Sequence, residues 1–423
     1  MCGTRIFRAL FPFSLPIIAI PVIAMIFIQF QDCCISSSSY LECFTNLVSS
    51  LSWYSRVKQW QDVNDEEFKK RYEEMESSFR VFVYPEGDPK TYYQTPGVLS
   101  GPYASEGYFF KNIMESPLRT ENPDEATMFF VPISVQKMSA KGLPIRKMRN
   151  VVKKYIEEIS LKYPYWDRNF GMDHFFVSCH EMGLNVTQGV QHLVRHAIRV
   201  VCFPNKKDGY VRVKDLALPQ LLLPFVNHAA GTDTKMRTRL TLLAGQDSTE
   251  SDLDFLISRR VSMPRKRTEA NVLWTPSYYT TKFCLCPGGS QMDNARIADA
   301  IHYGCVPVIW PDHDDLPLSR ILRWELFSLK LKKDIVYAIE VEEFLQSISD
   351  AEYKARQNNT VKVQMHFHWN SPPLRYDAFH CIMLQLFERY MDRRHAFELA
   401  KATKIDWYSG SEALQVLAPD AQS

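Results

Sequence analysis

A glycine-rich loop followed by a short helix has the residue types in this chain that best suit chemistry. Lys282–Trp310 has the pattern of a strand, the loop Gly288–Ser290, a helix and a second strand, which predicts one compact βαβ unit. Such a loop brings backbone N–H groups to the helix start, where the helix dipole attracts anions. If the helix begins at Asp293, Arg296 falls in its first turn, and a bound diphosphate would favour that cation. The alternative is an ordinary tight turn in which Asp293 alone offsets Arg296.

The spacing within this helix separates an apolar face from a polar one. The apolar stripe that would pack on the sheet consists of Ile297, Ala300 and Ile301. Arg296 and Asp299 lie three residues apart on another face, together with Tyr303, and would suit the phosphate and the ribose of a nucleotide. Alternatively, the two charged side chains form only an intrahelical ion pair, which contributes little to stability.

Composition excludes a chain-wide nucleic-acid surface. The chain has 423 residues, of which 50 are Lys or Arg and 48 are Asp or Glu, giving a net charge of +2. Its length suits two or three domains, and its hydrophobic fraction of 46% is ordinary for a globular protein. A basic cluster at Arg259–Arg267 fits either a solvated loop or a surface for an acidic glycan or phosphate.

The amino terminus has the pattern of a membrane anchor. Ala9–Phe30 carries no charged residue, is long enough to cross a bilayer, and follows Arg5 and Arg8. This positive flank predicts a cytoplasmic tail and a luminal body. A cleaved signal peptide is the alternative, but the run is longer than a usual signal core and no small-residue cleavage site follows. Asn185 and Asn358 begin glycosylation sequons, which matter only in a luminal protein.

The cysteines are compatible with an oxidising compartment. Cys179 and Cys202 flank a predicted helix and can pair as a disulfide. Cys284 and Cys286 lie on the same side of one predicted strand, and their spacing does not suit a zinc site. We therefore predict that these two pack in the core.

Strands and helices alternate along the rest of the chain, which predicts an α/β protein with mainly parallel sheets. Predicted strands cover 79–84, 126–131, 174–179, 199–203 and 240–245, and predicted helices lie around 106–115, 151–162, 251–260 and 341–348. The charged run Asp62–Glu76 suits a helical stem, and Pro224–Arg237 suits a crossover between two domains. Ligands of open α/β sheets bind at the carboxyl ends of the strands, so the two domains would face a cleft.

Several motifs together resemble the plant exostosin-type glycosyltransferases, glycosyltransferase family 47. They are Tyr103–Gly107, Pro123–Ala126, Asp173–Phe176, Cys179-His180, Lys214-Asp215 with Leu218-Pro219, Phe283–Trp310 and Trp369–Pro373. The resemblance spans about 79–389 and implies a GT-B-like architecture of two Rossmann-type domains, a type II Golgi membrane topology and transfer from a nucleotide sugar with inversion. Plant members are similar to enzymes that add galactose, xylose, arabinose or glucuronic acid to wall polysaccharides and glycoproteins.

The pattern and the resemblance together divide the chain into six parts. The predicted parts are a cytoplasmic tail (1–8), a transmembrane signal anchor (9–30), a stem (31–78), an acceptor-side domain (79–228), a donor-binding domain (229–395) and a carboxyl-terminal tail (396–423).

The resemblance also assigns donor-site residues. Gly289, Ser290 and Arg296 would cradle the donor diphosphate, and Asp299 would hold the ribose. Asp299 stands where many relatives have glutamate, which we interpret as a trait of the subgroup with the Gly-Gly-Ser-Gln loop. No cofactor is expected beyond the nucleotide sugar, which is a co-substrate.

The first predicted domain contains the candidate general bases for an acceptor hydroxyl. The candidates are Glu181, Asp173, His174 and Glu106, with His180 beside Glu181 as a further one. Asp173 and His174 precede a predicted strand, away from its carboxyl end, so a structural role suits them equally. Glu181 follows that strand and is better placed to face a cleft.

We predict no metal site. Asp312–Asp315 contains the Asp-x-Asp pattern of manganese-dependent GT-A enzymes, but it follows the second strand of the βαβ unit, where a polar loop is expected. His366 and His368 would lie on one side of a strand as a possible metal pair, yet no third ligand is near in sequence. A surface or core role is expected for both.

The sequence therefore predicts a Golgi membrane glycosyltransferase that moves a sugar from a UDP-sugar to a cell-wall polysaccharide or glycoprotein, without a metal and without nucleic acid as a partner. The acidic segment Gln246–Asp252, where relatives have a basic loop, would repel a donor phosphate. The alternative is thus a weak or inert partner subunit of a Golgi glycosyltransferase complex. Homodimers and heterodimers both remain possible.

Overall fold

The folded body contains two parallel β-sheets. A computed structural model describes residues 66–402, apart from 95–96, 170, 222–223, 226–227, 236, 238, 244–277, 287–292, 312, 314 and 333–337. Both sheets belong to one compact unit, Lys58–His395. No helix within the described ranges has the length and apolarity of a membrane span, and the predicted anchor Ala9–Phe30 lies outside those ranges.

Six short strands form the first sheet, in the order β2-β1-β3-β4-β5-β6, and all neighbours are parallel. They are β1 (Val81–Val83), β2 (Arg119–Thr120), β3 (Met128–Val131), β4 (His174–Ser178), β5 (Ile198–Val201) and β6 (Leu216–Ala217). The helices of this half are α1 (Glu66–Ser78), α2 (Ala104–Glu115), α3 (Val135–Ala140), α4 (Ile145–Lys162), α5 (Tyr165–Arg168), α6 (Gly183–Thr187) and α7 (Gln191–Arg195). The predicted strands correspond to β1, β3, β4 and β5, whereas β2 and β6 have two residues each and leave no periodic pattern.

Both faces of the first sheet are apolar, because helices cover a parallel sheet on both sides. Phe82, Phe129 and Phe176 belong to one core cluster with the buried side of α4. On the other face the rings of Phe130 and Phe175 stack with their centroids 5.0 Å apart. Successive side chains of a strand point to opposite faces of the sheet, so each uninterrupted apolar strand contributes residues to two cores, one on each face.

The second sheet has the order β10-β9-β8-β7, and its neighbours are also parallel. Its strands are β7 (Arg239–Leu243), β8 (Thr281–Cys286), β9 (Val306–Ile309) and β10 (Leu329–Lys330). The helices of this half are α8 (Asp293–His302), α9 (Ala338–Gln346), α10 (Asp350–Val363) and α11 (Ala378–Ala402). The predicted α/β class is confirmed, and two parallel sheets fit a GT-B-like architecture. The predicted helix around 251–260 lies outside the described residues.

The predicted βαβ unit is β8, α8 and β9. Helix α8 begins at Asp293, so Arg296 lies in its first turn. The predicted apolar stripe of Ile297, Ala300 and Ile301 is fully buried. The predicted core packing of Cys284 and Cys286 is confirmed, since both are buried in one core cluster. The sequence did not predict that Cys284 also forms a disulfide with Cys305. The reason is that the turn after α8 returns the chain to the side of β8 at the start of β9.

The predicted disulfide, Cys179–Cys202, is present. It joins the residues that directly follow β4 and β5 at the carboxyl edge of the first sheet. Within the described part of the chain, Cys286 and Cys381 are buried cysteines that form no disulfide.

Helix α1 packs into the folded body, although its charged sequence suits a stem. Phe68, Tyr72 and Met75 are buried, and the ring of Tyr72 contacts that of Tyr376 with centroids 4.6 Å apart. The apolar residues at intervals of three and four thus form a packed face within a highly charged helix. The folded body therefore includes the chain from Glu66 onwards.

A buried charge cluster closes the amino edge of the first sheet. Arg199 donates from Nη2 to Asp215 Oδ2 at 2.6 Å, and Lys214 donates to Asp215 Oδ1 and to the carbonyl of Ala197. All three charged side chains are almost inaccessible to water. Burial alone would raise the pKa of Asp215, but Lys214 and Arg199 outweigh it and lower that pKa. Burial lowers the pKa of Lys214 to about 7.

We expect Asp215→Asn to destabilise the full chain by about 3–5 kcal/mol, because it leaves the Arg199 guanidinium buried without its carboxylate. The measurement is urea unfolding followed by tryptophan fluorescence. Asp350→Asn is the matched control, since the ion pair of the exposed Asp350 with Lys282 lies at the surface and its loss should change stability by less than about 1 kcal/mol. Equal unfolding midpoints for the two variants would contradict this assignment.

Candidate active site

The start of helix α8 carries the charged pair predicted for donor binding. Arg296 is only 4% exposed and Asp299 is half-buried one turn later. Gly289 and Ser290 lie outside the described residues. The arginine is thus fixed in the first turn of a helix whose backbone dipole also presents positive charge. Buried positive charge at that position suits a bound anion.

The opposite end of α8 is held by a buried arginine. Arg237 donates to the carbonyls of Tyr303 and Thr281, each at 2.7 Å, and so joins the helix end to the start of β8. Gly304 makes the turn after the helix with a φ of +65°, and a Cβ there would lie 2.7 Å from Arg237 Nη2. The Cys305 N–H closes the turn on the carbonyl of Ala300 at 2.9 Å. Glycine is therefore needed here both for its φ and for the close approach of the guanidinium.

A glutamine completes this attachment. Gln364 donates from Nε2 to the carbonyls of Ile301 and His302, at 3.0 and 2.9 Å, and to that of Ala230 at 3.0 Å. These carbonyls include two from the last turn of α8, which lack partners inside the helix. The pair Arg237 and Gln364 therefore fixes the axis along which α8 presents Arg296.

The histidines considered as a metal pair are held apart by the local fold. Gln364–Phe367 is a 3₁₀ turn and not a strand, so the predicted common side does not exist. His366 contacts the carbonyl of Tyr376 through Nδ1 at 2.7 Å. His368 Nε2 lies 2.9 Å from Nδ1 of His302 at the end of α8. The strand prediction for this segment is therefore wrong, because α10 continues directly into the turn.

The carboxyl edge of the first sheet gathers polar side chains around Glu106, in the first turn of α2. Glu106 is 1% exposed and accepts hydrogen bonds from the hydroxyl of Ser134 and, at 2.9 Å, from the N–H of Cys179. Ser134 follows β3 and Cys179 follows β4. The ends of two neighbouring strands thus both contribute a donor to this carboxylate.

Burial raises the pKa of Glu106 to about 7, while the hydrogen bonds from Ser134 and Cys179 lower it by less. A carboxyl with a pKa near neutrality can exchange a proton under physiological conditions, as a general base must. Among the described residues, Glu106 is the one of the four predicted bases whose pKa lies near neutrality.

Two further side chains lie at this edge. His180 directly follows Cys179, and its ring stacks on that of Tyr103 with centroids 5.2 Å apart and planes 13° from parallel. His180 Nδ1 accepts the N–H of Met182 at 3.1 Å, so a neutral His180 carries its proton on Nε2. That tautomer is a donor at Nε2 and not a base. Glu181 is exposed beside it, after the end of β4 as predicted.

Asp173 and His174 lie at the amino end of β4, away from this edge. His174 is buried between Asp173, 2.7 Å from Nδ1, and the Tyr84 hydroxyl, 2.7 Å from Nε2. Asp173 also accepts from Arg168 at 2.9 Å. Burial lowers the pKa of His174, so the ring is neutral and Tyr84 donates to Nε2. This chain of hydrogen bonds positions the start of the strand.

The aspartate-rich loop after β9 is only partly described, because Asp312 and Asp314 lie outside the described residues. Asp315 accepts from the hydroxyls of Tyr210 and Ser319, at 2.8 and 2.9 Å. It therefore connects this loop to the segment before β6. Within the described ranges, no group of three or more His, Cys, Asp or Glu residues is arranged to hold a metal ion.

The sequence analysis did not identify Ser134 or Tyr103 as site residues. Ser134 caps α3 by accepting the Lys137 N–H at 3.3 Å, and it follows the buried strand β3. A polar residue between a buried strand and the start of a helix indicates the carboxyl edge of a sheet, so the sequence pattern could have identified Ser134. Tyr103 precedes α2 in the motif with Glu106, but an aromatic residue at a helix start has no distinctive pattern.

Comparison with known proteins identifies the family. Residues 75–347 match the Exostosin GT47 domain. A probable glycosyltransferase of Arabidopsis thaliana is 31% identical over 349 residues, which cover 78% of this chain and 65% of the relative. A second Arabidopsis protein with the same description is 32% identical over 348 residues, covering 77% of this chain and 71% of the relative. A probable beta-1,4-xylosyltransferase of Arabidopsis thaliana is 27% identical over 375 residues, covering 79% and 87%.

The match thus spans slightly less than two thirds of the first relative and more of the other two. The matched domain, residues 75–347, includes β1 to β10, and therefore α2 with Glu106 and α8 with Arg296. This chain belongs to the exostosin family of glycosyltransferases, family 47.

Proposed function

We propose that this protein transfers a sugar from a UDP-sugar to a cell-wall polysaccharide or a glycoprotein, with inversion and without a metal ion. The buried Arg296 in the first turn of α8, inside the matched family domain, is the observation that carries the proposal. The departing diphosphate develops negative charge, and the arginine and the helix dipole are fixed positive groups that can stabilise it. Asp299, one turn further, takes the ribose.

Glu106 takes the role of general base in this mechanism. It lies at the carboxyl edge of the first sheet, and its pKa of about 7 suits removal of a proton from an acceptor hydroxyl. The hydroxyl oxygen then attacks the anomeric carbon, and the bond from that carbon to the diphosphate oxygen breaks. Attack opposite the leaving group inverts the anomeric configuration.

A luminal Golgi position, with a single anchor at the amino terminus, completes the proposal. The two disulfides, Cys179–Cys202 and Cys284–Cys305, support an oxidising compartment. The uncharged run Ala9–Phe30 behind two arginines supports a type II orientation. One relative is named for xylosyl transfer and the other two only as glycosyltransferases, so the donor is left as a UDP-sugar.

The second candidate is a weak or inert partner subunit of a glycosyltransferase complex. The acidic segment Gln246–Asp252, which lies outside the described residues, favours it on sequence grounds, because relatives have a basic loop at this position and acidic residues oppose phosphate binding. The retained Arg296 and Asp299 favour the enzyme. Donor binding separates the two candidates.

We expect the full chain, purified in detergent, to bind UDP and to transfer sugar from at least one UDP-sugar in a screen against wall-derived oligosaccharides. Activity should persist in excess EDTA, because protein cations take the role of a metal. The measurements are calorimetry with UDP and mass spectrometry of the products. An absence of UDP affinity at millimolar ligand would favour the inert subunit, and loss of activity in EDTA would contradict the metal-independent mechanism.

We expect Arg296→Met to raise the Kd for UDP by about 10- to 100-fold, since a charge-assisted contact to the diphosphate is lost. Asp299→Asn should weaken UDP binding but leave binding of inorganic diphosphate unchanged, because its partner is the ribose. Arg375→Met is the matched control, with a 53% exposed side chain that pairs with Glu76 on α1. Thermal unfolding midpoints check that each variant is folded. Unchanged UDP affinity in Arg296→Met would remove α8 from the donor site.

We expect Glu106→Gln to lower kcat by about 10²- to 10⁴-fold. The wild-type rate should rise with pH through about 7, where Glu106 ionises, and then level off. The raised pKa also affects stability: the folded chain keeps the proton that the unfolded chain loses, so wild-type stability falls as pH rises from about 4.5 to 7. Glu106→Gln should reduce that fall. A reduced fall with unchanged kcat would show that Glu106 has only a structural role.

A further inference from the structure

An aromatic pair lies beside Glu106 that the transfer mechanism does not use. Tyr103 directly precedes α2, and His180 is the second residue after β4. The two rings stack almost parallel, with their centroids 5.2 Å apart. Both residues therefore lie at the carboxyl edge of the first sheet. Tyr103 precedes Glu106 by three residues in the sequence. His180 is the buried member of the pair, whereas Tyr103 is half-buried and so retains accessible surface.

The backbone on either side of Tyr103 is fixed by the segment after β6. Gln220 donates from Nε2 to the Pro102 carbonyl at 3.1 Å, and the Leu221 N–H donates to Ser105 Oγ at 2.7 Å. Both side chains, Gln220 and Ser105, are buried. The ring of Tyr103 is thus held between two anchored residues, which lowers the entropy lost when a ligand packs on it.

The ring of His180 is fixed as firmly as that of Tyr103. Its Nδ1 accepts the Met182 N–H at 3.1 Å, and the backbone N–H of His180 donates to Ser178 Oγ at 3.2 Å. Gly183 allows this turn, since a Cβ there would lie 2.6 Å from Ser178 Oγ. The stack is therefore a preformed surface and not the chance contact of two mobile side chains.

The loop before Tyr103 adds an exposed apolar side chain to the same region. Val98 is 60% exposed, and its carbonyl lies against the first turn of α2, where a Cβ on Gly107 would approach it to 2.7 Å. An exposed valine and an accessible aromatic ring near a buried carboxylate combine apolar surface with one polar group. Sugar rings match this combination, because one face presents C–H groups and the edge presents hydroxyls.

We propose that Tyr103, supported by His180, is the subsite on which the acceptor sugar ring stacks, so that one of its hydroxyls reaches Glu106. This inference rests on the proposed function and names the acceptor side of the same site. Tyr103 acts through its ring face and not through its phenol group. It is a binding residue for the acceptor and has no contact with the donor diphosphate.

The test compares Tyr103→Ala and Tyr103→Phe in the full chain. With the accepting wall-derived oligosaccharide from the donor screen, Tyr103→Ala should raise the acceptor KM about tenfold, the loss expected for one aromatic stack. Its donor KM and its rate of donor hydrolysis by water should stay within about twofold of wild type, since water needs no stacking surface. Tyr103→Phe keeps the ring and should retain the wild-type acceptor KM.

Tyr165→Ala is the matched control, because Tyr165 is also half-buried and stacked, on Phe129 at 5.0 Å, but at the amino edge of the sheet. It should leave the acceptor KM unchanged. An acceptor KM within twofold of wild type in Tyr103→Ala, or an equal rise in Tyr103→Phe, would overturn the subsite alone. If the wild-type chain neither hydrolyses nor transfers any donor sugar, the proposed function itself fails, and the subsite with it.

Discussion

The attachment of helix α8 by its carboxyl end is the constraint on which the candidate site depends. Arg237 and Gln364 reach the last carbonyls of the helix from two directions, and both side chains are buried. Among the described residues, the hydrogen bonds of both side chains lie at this end of the helix and not at its start, where Arg296 lies. A helix fixed in this way presents its first turn at a constant place, so a positive group there is ready for an anion without rearrangement.

The two edges of the first sheet have separate physical roles. At the amino edge, Asp215 and Asp173 each accept several hydrogen bonds from cations and amides, and both have lowered pKa values. Burial alone would raise those values, so it is the surrounding donors that keep these carboxylates charged. At the carboxyl edge, Glu106 has fewer compensating donors and burial prevails. Buried carboxyl groups therefore have two roles: those at the amino edge stay charged and stabilise the fold, and Glu106 at the carboxyl edge can exchange a proton near pH 7.

The local pattern predicted the elements with strong periodicity. A glycine loop followed by an apolar stripe fits few local structures other than a βαβ unit, so this pattern predicted both the unit and the place of Arg296 in the first turn of its helix. The short strands β2 and β6 could not be predicted, since two residues carry no period. The burial of α1 was hidden by its charge, because its apolar face has only three residues in thirteen. The Cys284–Cys305 disulfide depends on how the turn at Gly304 returns the chain, which is a tertiary property.

The sequence motifs located the neighbourhood of the candidate site better than the roles within it. Asp173 and Glu106 both belong to recognisable motifs. The sequence correctly placed Asp173 before a strand, whereas only the fold shows that Glu106, on a helix, lies at the carboxyl edge. A strand places its preceding and following residues about five residues apart in sequence but at opposite ends of the sheet. The identity of the carboxyl-edge residues thus becomes clear once the order and direction of the strands are known.

The segment after β6 connects the acceptor edge to the helix that carries the donor pair. Pro219 accepts from Trp369 Nε1 at 2.9 Å, while its neighbour Gln220 holds the residue before Tyr103. His368, next to Trp369, contacts His302 at the end of α8. A displacement of α8 relative to α2 must therefore stretch this short series of hydrogen bonds or move all of its members together. Every link involves a buried or half-buried side chain, so breaking one link would leave a buried polar group without its partner.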